Sequence, residues 1–290
     1  MAKDKFINWV IFILLSFIWG SSFILMKLSS LELNGWQIAS VRIFSAGLVF
    51  LPFALLHLSK VPKNKIGIII LSGILGNLLP AFLFAIAIDK KVDSALAGIL
   101  NSLTPLLVIA IGVLFFKAQI HFKKIAGVLI GFIGLLVLSL SKGGITVTNF
   151  QFAIYILIAT LFYGINVNLV IFYLKDVNPI KIATVSLAFT FIPAGIIMWQ
   201  QNVPWLVWND ANYRLPVLAS VLLGVIGSAA ATALFYVLIK RAGGLFASLV
   251  TYGIPVVAIL WGILYKENVT LIQVSCLALI LSGVYLANRN

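Results

Sequence analysis

The sequence predicts an all-α integral membrane protein with ten transmembrane helices, arranged as two inverted five-helix repeats. Of its 290 residues, 62% are hydrophobic and only 9% are charged, which is more apolar surface than a soluble domain of this size can bury. The apolar residues form ten runs, each close to the ~20 residues that a helix needs to cross a bilayer. A broken apolar segment in the first half of the chain also recurs in the second half.

The ten runs are separated by short connections, except for one longer connection between the seventh and eighth runs. They are too long for the strands of a membrane β-barrel, which need only ~10 residues each. The first run is also too long for a cleavable signal peptide, so it is predicted to be the first membrane helix. The predicted spans are Ile7–Met26, Trp36–Leu58, Ile66–Ile88, Ser94–Phe116, Phe122–Leu140, Phe150–Leu174, Pro179–Trp199, Leu215–Ile239, Leu245–Tyr265 and Thr270–Asn288.

The internal repeat covers the whole chain. The broken segment Ser94–Lys117 matches Leu245–Glu267, with Pro105 opposite Pro255. Each half holds five predicted spans, and because five is odd, the second half enters the membrane from the opposite side. The predicted repeats are residues 1–144 and 145–290. Further matching pairs are Trp19-Gly20 with Tyr163-Gly164, Asn34 with Asn178, and Gly73-x-x-Gly76 with Gly224-x-x-Gly227.

The distribution of basic residues predicts the orientation. The formal charge of +13 would suggest a nucleic-acid partner in a soluble protein, but here most basic residues lie in short loops between apolar runs. The loops that hold Lys60–Lys65, Lys123–Lys124 and Lys240–Arg241 fall on the same side as both termini. The positive-inside rule therefore places both termini in the cytoplasm of a multi-pass protein, in a membrane of the bacterial inner-membrane type.

Uncharged polar and aromatic residues lie at mid-depth in spans 1, 3, 4, 6, 8 and 9, and hardly at all in the other four. An amide in hydrocarbon is costly unless it is paired or faces water. Each such residue alone could simply form a hydrogen bond between helices, but their restriction to six spans favours a shared substrate cavity. The predicted cavity residues are Trp19, Asn77, Phe84, Asn101, Thr104, Tyr163, Asn166, Ser228, Tyr236, Thr251 and Tyr252.

Three prolines and one arginine complete the predicted site. Pro80, Pro105 and Pro255 each remove a helical hydrogen bond and are expected to kink their helices, either as fixed bends or as hinges. Arg42 lies about two turns from the outer end of its span. It is expected to be structural, by snorkelling outward or pairing with Glu32, or else to bind an anionic group.

The sequence offers little for catalysis or for metal binding. No span carries an acid or a histidine near its centre, and no nucleophile stands beside a base. One cysteine, Cys276, and two histidines give no metal-ligand spacing, so we predict no cofactor, no metal and no enzymatic activity. Without a titratable group at mid-depth, transport is expected to be facilitated rather than proton-driven. Only Asp93 and Glu267 are placed to reach a cavity from its outer end.

Several motifs resemble those of EamA-type members of the drug/metabolite transporter superfamily. Trp19-Gly20-Ser21-Ser22-Phe23 resembles the W-G-x-x-F signature of their first helix, and Arg42 resembles their second-helix arginine. The stretch Leu103–Lys117 resembles their fourth-helix pattern, although Lys117 replaces a glutamate that the second half keeps as Glu267. Gly127 and Gly134 resemble glycines of the following helix. They form a small-residue face with Gly131, expected to pack within the molecule rather than in a dimer.

The resemblance implies a secondary transporter with a central cavity formed by helices 1, 3, 4, 6, 8 and 9. The implied substrates are small amphipathic metabolites, either amino acids or drug-like organic cations, and the implied direction is export by alternating access. A phosphate-sugar or nucleotide-sugar carrier is the alternative within transport, and a membrane subunit that transports nothing is the alternative outside it. The expected partners are the lipid bilayer and a small-molecule substrate, with no nucleic acid, in a monomer or weak homodimer.

Overall fold

The computed structural model describes residues 2–92, 94–141, 150–264 and 270–288. Their regular structure is helical, and ten helices are long and apolar enough to cross a membrane, as predicted. We number them α1 to α10 and count an interrupted helix as one. They are α1 Ala2–Ser29, α2 Gly35–Leu58, α3 Lys63–Asp89, α4 Ser94–Asn101 with Thr104–Phe116, α5 Phe122–Ser141, α6 Ala153–Phe172, α7 Pro179–Gln200, α8 Arg214–Ala242, α9 Gly244–Ser248 with Val250–Leu264, and α10 Leu271–Asn288.

Four of the ten helices are interrupted, at matching places in the two halves. In α3 the turn Ile74–Leu78 is a π-helix, and in α8 the turn Val225–Ala230 is one too. Each π turn begins directly after the first glycine of the repeated Gly-x-x-Gly sequence. Helix α4 breaks at residues 102–103, and α9 breaks at Leu249.

Pro105 and Pro255 lie at different distances from the breaks in their helices, although the repeat aligns the two prolines in the sequence. Pro105 lies in the first turn after the break in α4, where a missing backbone N–H costs nothing. Pro80 likewise begins the α-helical segment that follows the π turn of α3. Pro255 instead lies inside the second segment of α9, several residues past the break at Leu249. The expected kink inside a continuous helix therefore applies to Pro255 alone.

The packing of the helices follows the internal repeat. Helix α2 packs along α7, and α5 packs along α10, so each pair consists of the corresponding helices of the two halves. The contact of α1 with α9 is matched by that of α6 with α4. The contact of α3 with α6 is matched by that of α8 with α1. Exchanging the two halves therefore reproduces the pattern of neighbours, as expected for two structural repeats.

The entry into α2 and α7 is fixed by equivalent asparagines. Asn34 Oδ1 accepts a hydrogen bond from the Gln37 backbone N–H at 3.0 Å, and Gln37 Oε1 accepts one from the Asn34 N–H at 3.0 Å. This is a capping box, which satisfies the free N–H groups of the first turn. Asn178 caps α7 through the Ile180 N–H at 2.9 Å. Both helices therefore begin at the residue that follows the capping asparagine, at equivalent positions of the repeat.

The small-residue face of α5 packs within the molecule, as predicted. A Cβ atom added at Gly283 of α10 would lie 2.6 Å from the Gly127 carbonyl oxygen and 2.7 Å from the Gly131 Cα. A Cβ atom at Gly131 would lie 2.6 Å from the ring of Tyr252. Glycine at these positions lets the backbones of α5 and α10 touch, which is how membrane helices gain van der Waals contact without a hydrophobic driving force.

Gly283→Ala should therefore lower the free energy of unfolding by about 1–3 kcal/mol, because the added methyl group meets backbone atoms that cannot rotate away. Gly67→Ala in α3 is the matched control. A Cβ atom there has no neighbour within 4 Å, so this change should be neutral or stabilise the helix by up to ~1 kcal/mol. Unfolding in detergent micelles measures both. Equal effects of the two substitutions would contradict the close packing of α5 on α10.

Candidate functional site

A cavity of about 170 Å³ lies between the two halves of the molecule. Helices α1, α3, α4, α6, α8 and α9 supply its walls, with one further residue from α2. No described residue of α5, α7 or α10 lines it. The structure brings together ten of the eleven predicted cavity residues, and Pro255 with them: Trp19, Asn77, Phe84, Asn101, Thr104, Tyr163, Asn166, Ser228, Tyr236 and Thr251.

Tyr252, Pro80 and Pro105 do not line the cavity. The Tyr252 hydroxyl donates to the Val128 carbonyl oxygen at 3.0 Å, and its side chain is fully buried against α5. Successive residues of a helix point about 100° apart, so Thr251 can face the cavity while its neighbour Tyr252 faces away. Tyr252 therefore belongs to the packing between α9 and α5 in this structure, contrary to the sequence-based expectation.

The two π turns carry corresponding polar residues of the cavity. Asn77 lies in the π turn of α3 and Ser228 in the π turn of α8. A π turn inserts one extra residue and so changes the direction of the side chains that follow it. Asn77 Oδ1 accepts a hydrogen bond from Thr232 Oγ1 at 2.8 Å, whereas its Nδ2 has no partner among the described residues. The Oδ1 of Asn101, at the break in α4, is also buried without a described partner.

A buried hydrogen-bond network borders the cavity at Asn166 and Tyr236. Ser72 Oγ donates to Asn166 Oδ1 at 2.6 Å and lies 2.9 Å from the hydroxyl of Tyr236. Asn166 Nδ2 donates to the same hydroxyl at 3.3 Å. The network joins α3, α6 and α8. Sequence reasoning missed Ser72, although a polar residue directly before the repeated Gly-x-x-Gly is a signal that could have indicated it.

Aromatic side chains form the apolar part of the wall. The indole N–H of Trp19 donates to the Gly227 carbonyl oxygen at 3.0 Å, which fixes the ring between α1 and α8. The rings of Trp19 and Phe235 are 5.4 Å apart, and those of Phe84 and Tyr163 are 6.2 Å apart. Phe235 was not predicted. Both ring pairs are partly exposed, so they offer flat apolar surface to a solute.

Arg42 extends into the cavity rather than outward, so neither structural role expected for it is observed. Its Nε donates to Ser228 Oγ at 2.7 Å, and the side chain lines the cavity. Glu32 is exposed in the turn before α2, and Arg42 lies roughly 10 Å along the helix axis from Gly35, the first residue of α2, at 1.5 Å per residue. Among the described residues, no carboxylate lies within salt-bridge distance of Arg42. The arginine is therefore the charged group of the described cavity wall.

The carboxylates that the structure describes lie away from the cavity. Asp4, Glu32, Asp89, Asp176 and Asp210 are all exposed. Asp93 and Glu267, the two acids expected to be able to reach the outer end of a cavity, lie outside the described residues. The described wall of the cavity is thus apolar and aromatic, with hydroxyl and amide groups and a single positive charge.

The sequence profile of the EamA-like transporter family matches the chain twice, over residues 7–140 and 151–289. The chain belongs to this family. It is therefore a multi-pass membrane protein and a transporter of the EamA type, as the motifs in the first helix and the fourth helix predicted. The two matches correspond to the two structural repeats.

Similar proteins of comparable length are named as transporters. A protein of Archaeoglobus fulgidus named as an uncharacterized transporter is 24% identical over 283 residues, covering 97% of this chain and 99% of its own. The inner membrane transporter YedA of Escherichia coli K12, also named as uncharacterized, is 26% identical over 285 residues, covering 93% of this chain and 86% of its own.

A solved crystal structure shares the fold. It superimposes with a TM-score of 0.69 over 96% of this chain and 95% of its own, at 17% sequence identity. At that identity the similarity establishes the architecture of ten helices and carries no information about the solute.

Tyr252→Phe tests the placement of this residue outside the cavity. Removing the hydroxyl removes the hydrogen bond between the two helices at the Val128 carbonyl, so the free energy of unfolding should fall by about 1 kcal/mol. Transport per folded molecule should stay unchanged, because the side chain does not line the cavity. Unfolding in detergent and flux into proteoliposomes give the two readouts. A change in flux with wild-type stability would show that Tyr252 contacts the solute.

Proposed function

We propose that the protein is a secondary transporter that exports small amphipathic metabolites, either amino acids or drug-like organic cations, by alternating access through the central cavity. The observation that carries the proposal is the composition of the cavity wall. Six helices from both halves surround a space lined by aromatic rings, hydroxyls and side-chain amides. An amphipathic solute can place its apolar part on the rings and its polar part against the amides.

The two halves contain the irregular backbone that alternating access requires. The π turns and the breaks occur only in α3, α4, α8 and α9 among the described helices, and all four line the cavity. The pairs α2 with α7 and α5 with α10 are continuous and pack along each other. This division supports a mechanism in which the interrupted helices move against a continuous scaffold. Pro80, Pro105 and Pro255 adjoin or follow these interruptions and would limit where bending occurs.

The alternative functions fit the cavity less well. A phosphate-sugar or nucleotide-sugar carrier would have to balance about two negative charges on each solute molecule. The described wall offers Arg42 as its single cation, which does not balance that charge. A membrane subunit that transports nothing would have no use for buried amides without partners, since each costs about 1–3 kcal/mol in the folded protein. Transport of an uncharged or singly charged solute is the better fit.

The location and orientation also belong to this proposal. The relative YedA is named an inner membrane transporter, which supports a bacterial-type inner membrane for this chain. The positive-inside rule places both termini in the cytoplasm. In this orientation the hydrogen-bond network of Ser72, Asn166 and Tyr236 lies toward the cytoplasm.

Flux measurements in proteoliposomes test the proposed transport. Purified protein should move members of a panel of amino acids and organic cations down their gradients, and Tyr163→Ala should reduce that flux about tenfold, equal to about 1.4 kcal/mol of lost binding. Tyr163 is suited to the test because its ring borders the cavity beside Phe84. Tyr285→Ala, at an exposed position of α10, is the matched control and should transport normally. The proposal fails if no panel member crosses the membrane faster than in empty liposomes.

Cysteine labelling tests the orientation. In a Cys276→Ser background, Lys63→Cys should react with a membrane-impermeant maleimide only after the cells are permeabilised. Asp210→Cys, in the connection between α7 and α8, should react in intact cells. Both positions are exposed, so access to the reagent depends on the side of the membrane. Reaction of Lys63→Cys in intact cells would reverse the proposed topology.

A further inference from the structure

The internal repeat provides a control for the role of Arg42. Asn34 caps α2 and Asn178 caps α7, and each stands eight residues before the position in question. Arg42 in α2 therefore corresponds to Ser186 in α7. The two halves hold the same helical position with a long cation in one case and a small hydroxyl in the other.

The backbone environment of the two positions is the same. A Cβ atom added at Gly224 of α8 would collide with the carbonyl oxygen of Arg42. One added at Gly73 of α3 would lie 2.5 Å from the carbonyl oxygen of Ser186. Gly224 and Gly73 are corresponding residues of the repeated Gly-x-x-Gly sequence. In both halves the two helices approach closely because a glycine of one contacts the backbone of the other. The second half has a serine at the position of Arg42, so this close approach does not require an arginine side chain.

The arginine is therefore not required for packing, and its guanidinium has hydrogen-bond donors that remain unused among the described residues. The group has five N–H donors, of which Nε donates to Ser228 Oγ. The remaining donors have no hydrogen-bond acceptor among the described residues, and no described carboxylate pairs with the charge. An unpaired cation inside a membrane protein is costly, and such residues face a cavity and mark a binding path.

A carboxylate matches this arrangement. It carries one negative charge and two oxygens that accept the parallel N–H groups of a guanidinium. Neighbouring groups can hold the rest of such a solute. Thr232 follows Ser228 by one helical turn, roughly 6 Å along the axis, and its hydroxyl donates to Asn77 Oδ1. The partly exposed rings of Trp19 and Phe235 provide apolar contact.

We propose that Arg42 and Ser228 form a carboxylate subsite, which selects solutes bearing a carboxylate and excludes organic cations. This inference rests on the proposed transport function and chooses between its two solute classes. Arg42 acts as the residue that determines specificity. An organic cation would be repelled by the guanidinium at short range, in a cavity whose described wall has no acid to offset that charge.

The test compares solutes that differ only in their charged groups. The panel contains the twenty amino acids. For each one transported, it also contains the amine without the carboxylate and the acid without the ammonium, for example L-phenylalanine, 2-phenylethylamine and 3-phenylpropionate. Tetraphenylphosphonium is included as a fixed cation. Members with a carboxylate should be transported, and each amine should be at least tenfold slower than its amino acid. Equal or faster transport of the amines or of tetraphenylphosphonium overturns the subsite.

Two substitutions at Arg42 separate charge recognition from folding. Arg42→Ser copies the residue of the second half, so it should fold normally while raising the KM for carboxylates at least tenfold and increasing the slow flux of amines, because the charge that repels them is gone. Arg42→Lys keeps the charge without the paired donors and should give an intermediate KM. Arg241→Ser removes the same charge from an exposed position, where Arg241 pairs with Asp4 at 3.2 Å, and serves as the control.

A second readout is independent of flux. With detergent-purified protein, 3-phenylpropionate and L-phenylalanine should raise the unfolding temperature of the wild type but not of Arg42→Ser. If Arg42→Ser and Arg42→Lys both reduce the flux of amines as much as that of carboxylates, Arg42 acts through structure and the subsite is wrong. If amines cross readily and Arg42→Ser changes nothing, transport stands but the subsite fails. If no solute crosses, the proposed function fails and the inference with it.

Discussion

The structure depends on the requirement that backbone polar groups inside a bilayer find their partners within the protein. Continuous helices without an internal proline meet this requirement by themselves, as α5 and α10 do. The interrupted helices meet it locally. At the break in α4 the Ser102 N–H still reaches the Gly98 carbonyl oxygen at 3.0 Å, and at the break in α9 the Leu249 N–H reaches that of Leu245 at 3.2 Å. Irregular backbone is thus confined to the helices that line the cavity.

The position of each residue within its predicted span and the helical periodicity were enough to predict most of the candidate site. Trp19, Asn77, Tyr163 and Ser228 could be assigned to one cavity because polar and aromatic residues at mid-depth are concentrated in six spans. The choice between Thr251 and Tyr252 could not be made, because adjacent residues share the same depth and differ only in the face they occupy. That face depends on where the break in α9 falls, and the break at Leu249 has no proline beside it.

Two further features were beyond sequence reasoning for physical reasons. No characteristic residue pattern marks the π turns of α3 and α8 in the sequence, apart from the repeated Gly-x-x-Gly at their start. The direction of the Arg42 side chain was also undetermined. A long side chain near a helix end can snorkel to the interface or turn inward. The choice depends on Ser228, which is distant in sequence and comes close only because Gly224 allows α2 to contact α8.

The two halves share a backbone arrangement but differ in the side chains at the positions that correspond to this hydrogen-bond network of Ser72, Asn166 and Tyr236. The residues corresponding to Ser72, Asn166 and Tyr236 are Leu223, Ser22 and Ala85, which cannot form the same network of three side chains. In the alternating-access cycle proposed above the two halves would exchange conformations, so one end would close through directional hydrogen bonds and the other through apolar contact. Buried hydrogen bonds hold a defined geometry, whereas apolar contacts depend on area and tolerate sliding. Under that proposal the two closed states would differ in free energy even though the helices that form them are related by the repeat. That difference, and not the shared fold, would then set which side of the membrane the empty cavity faces at equilibrium.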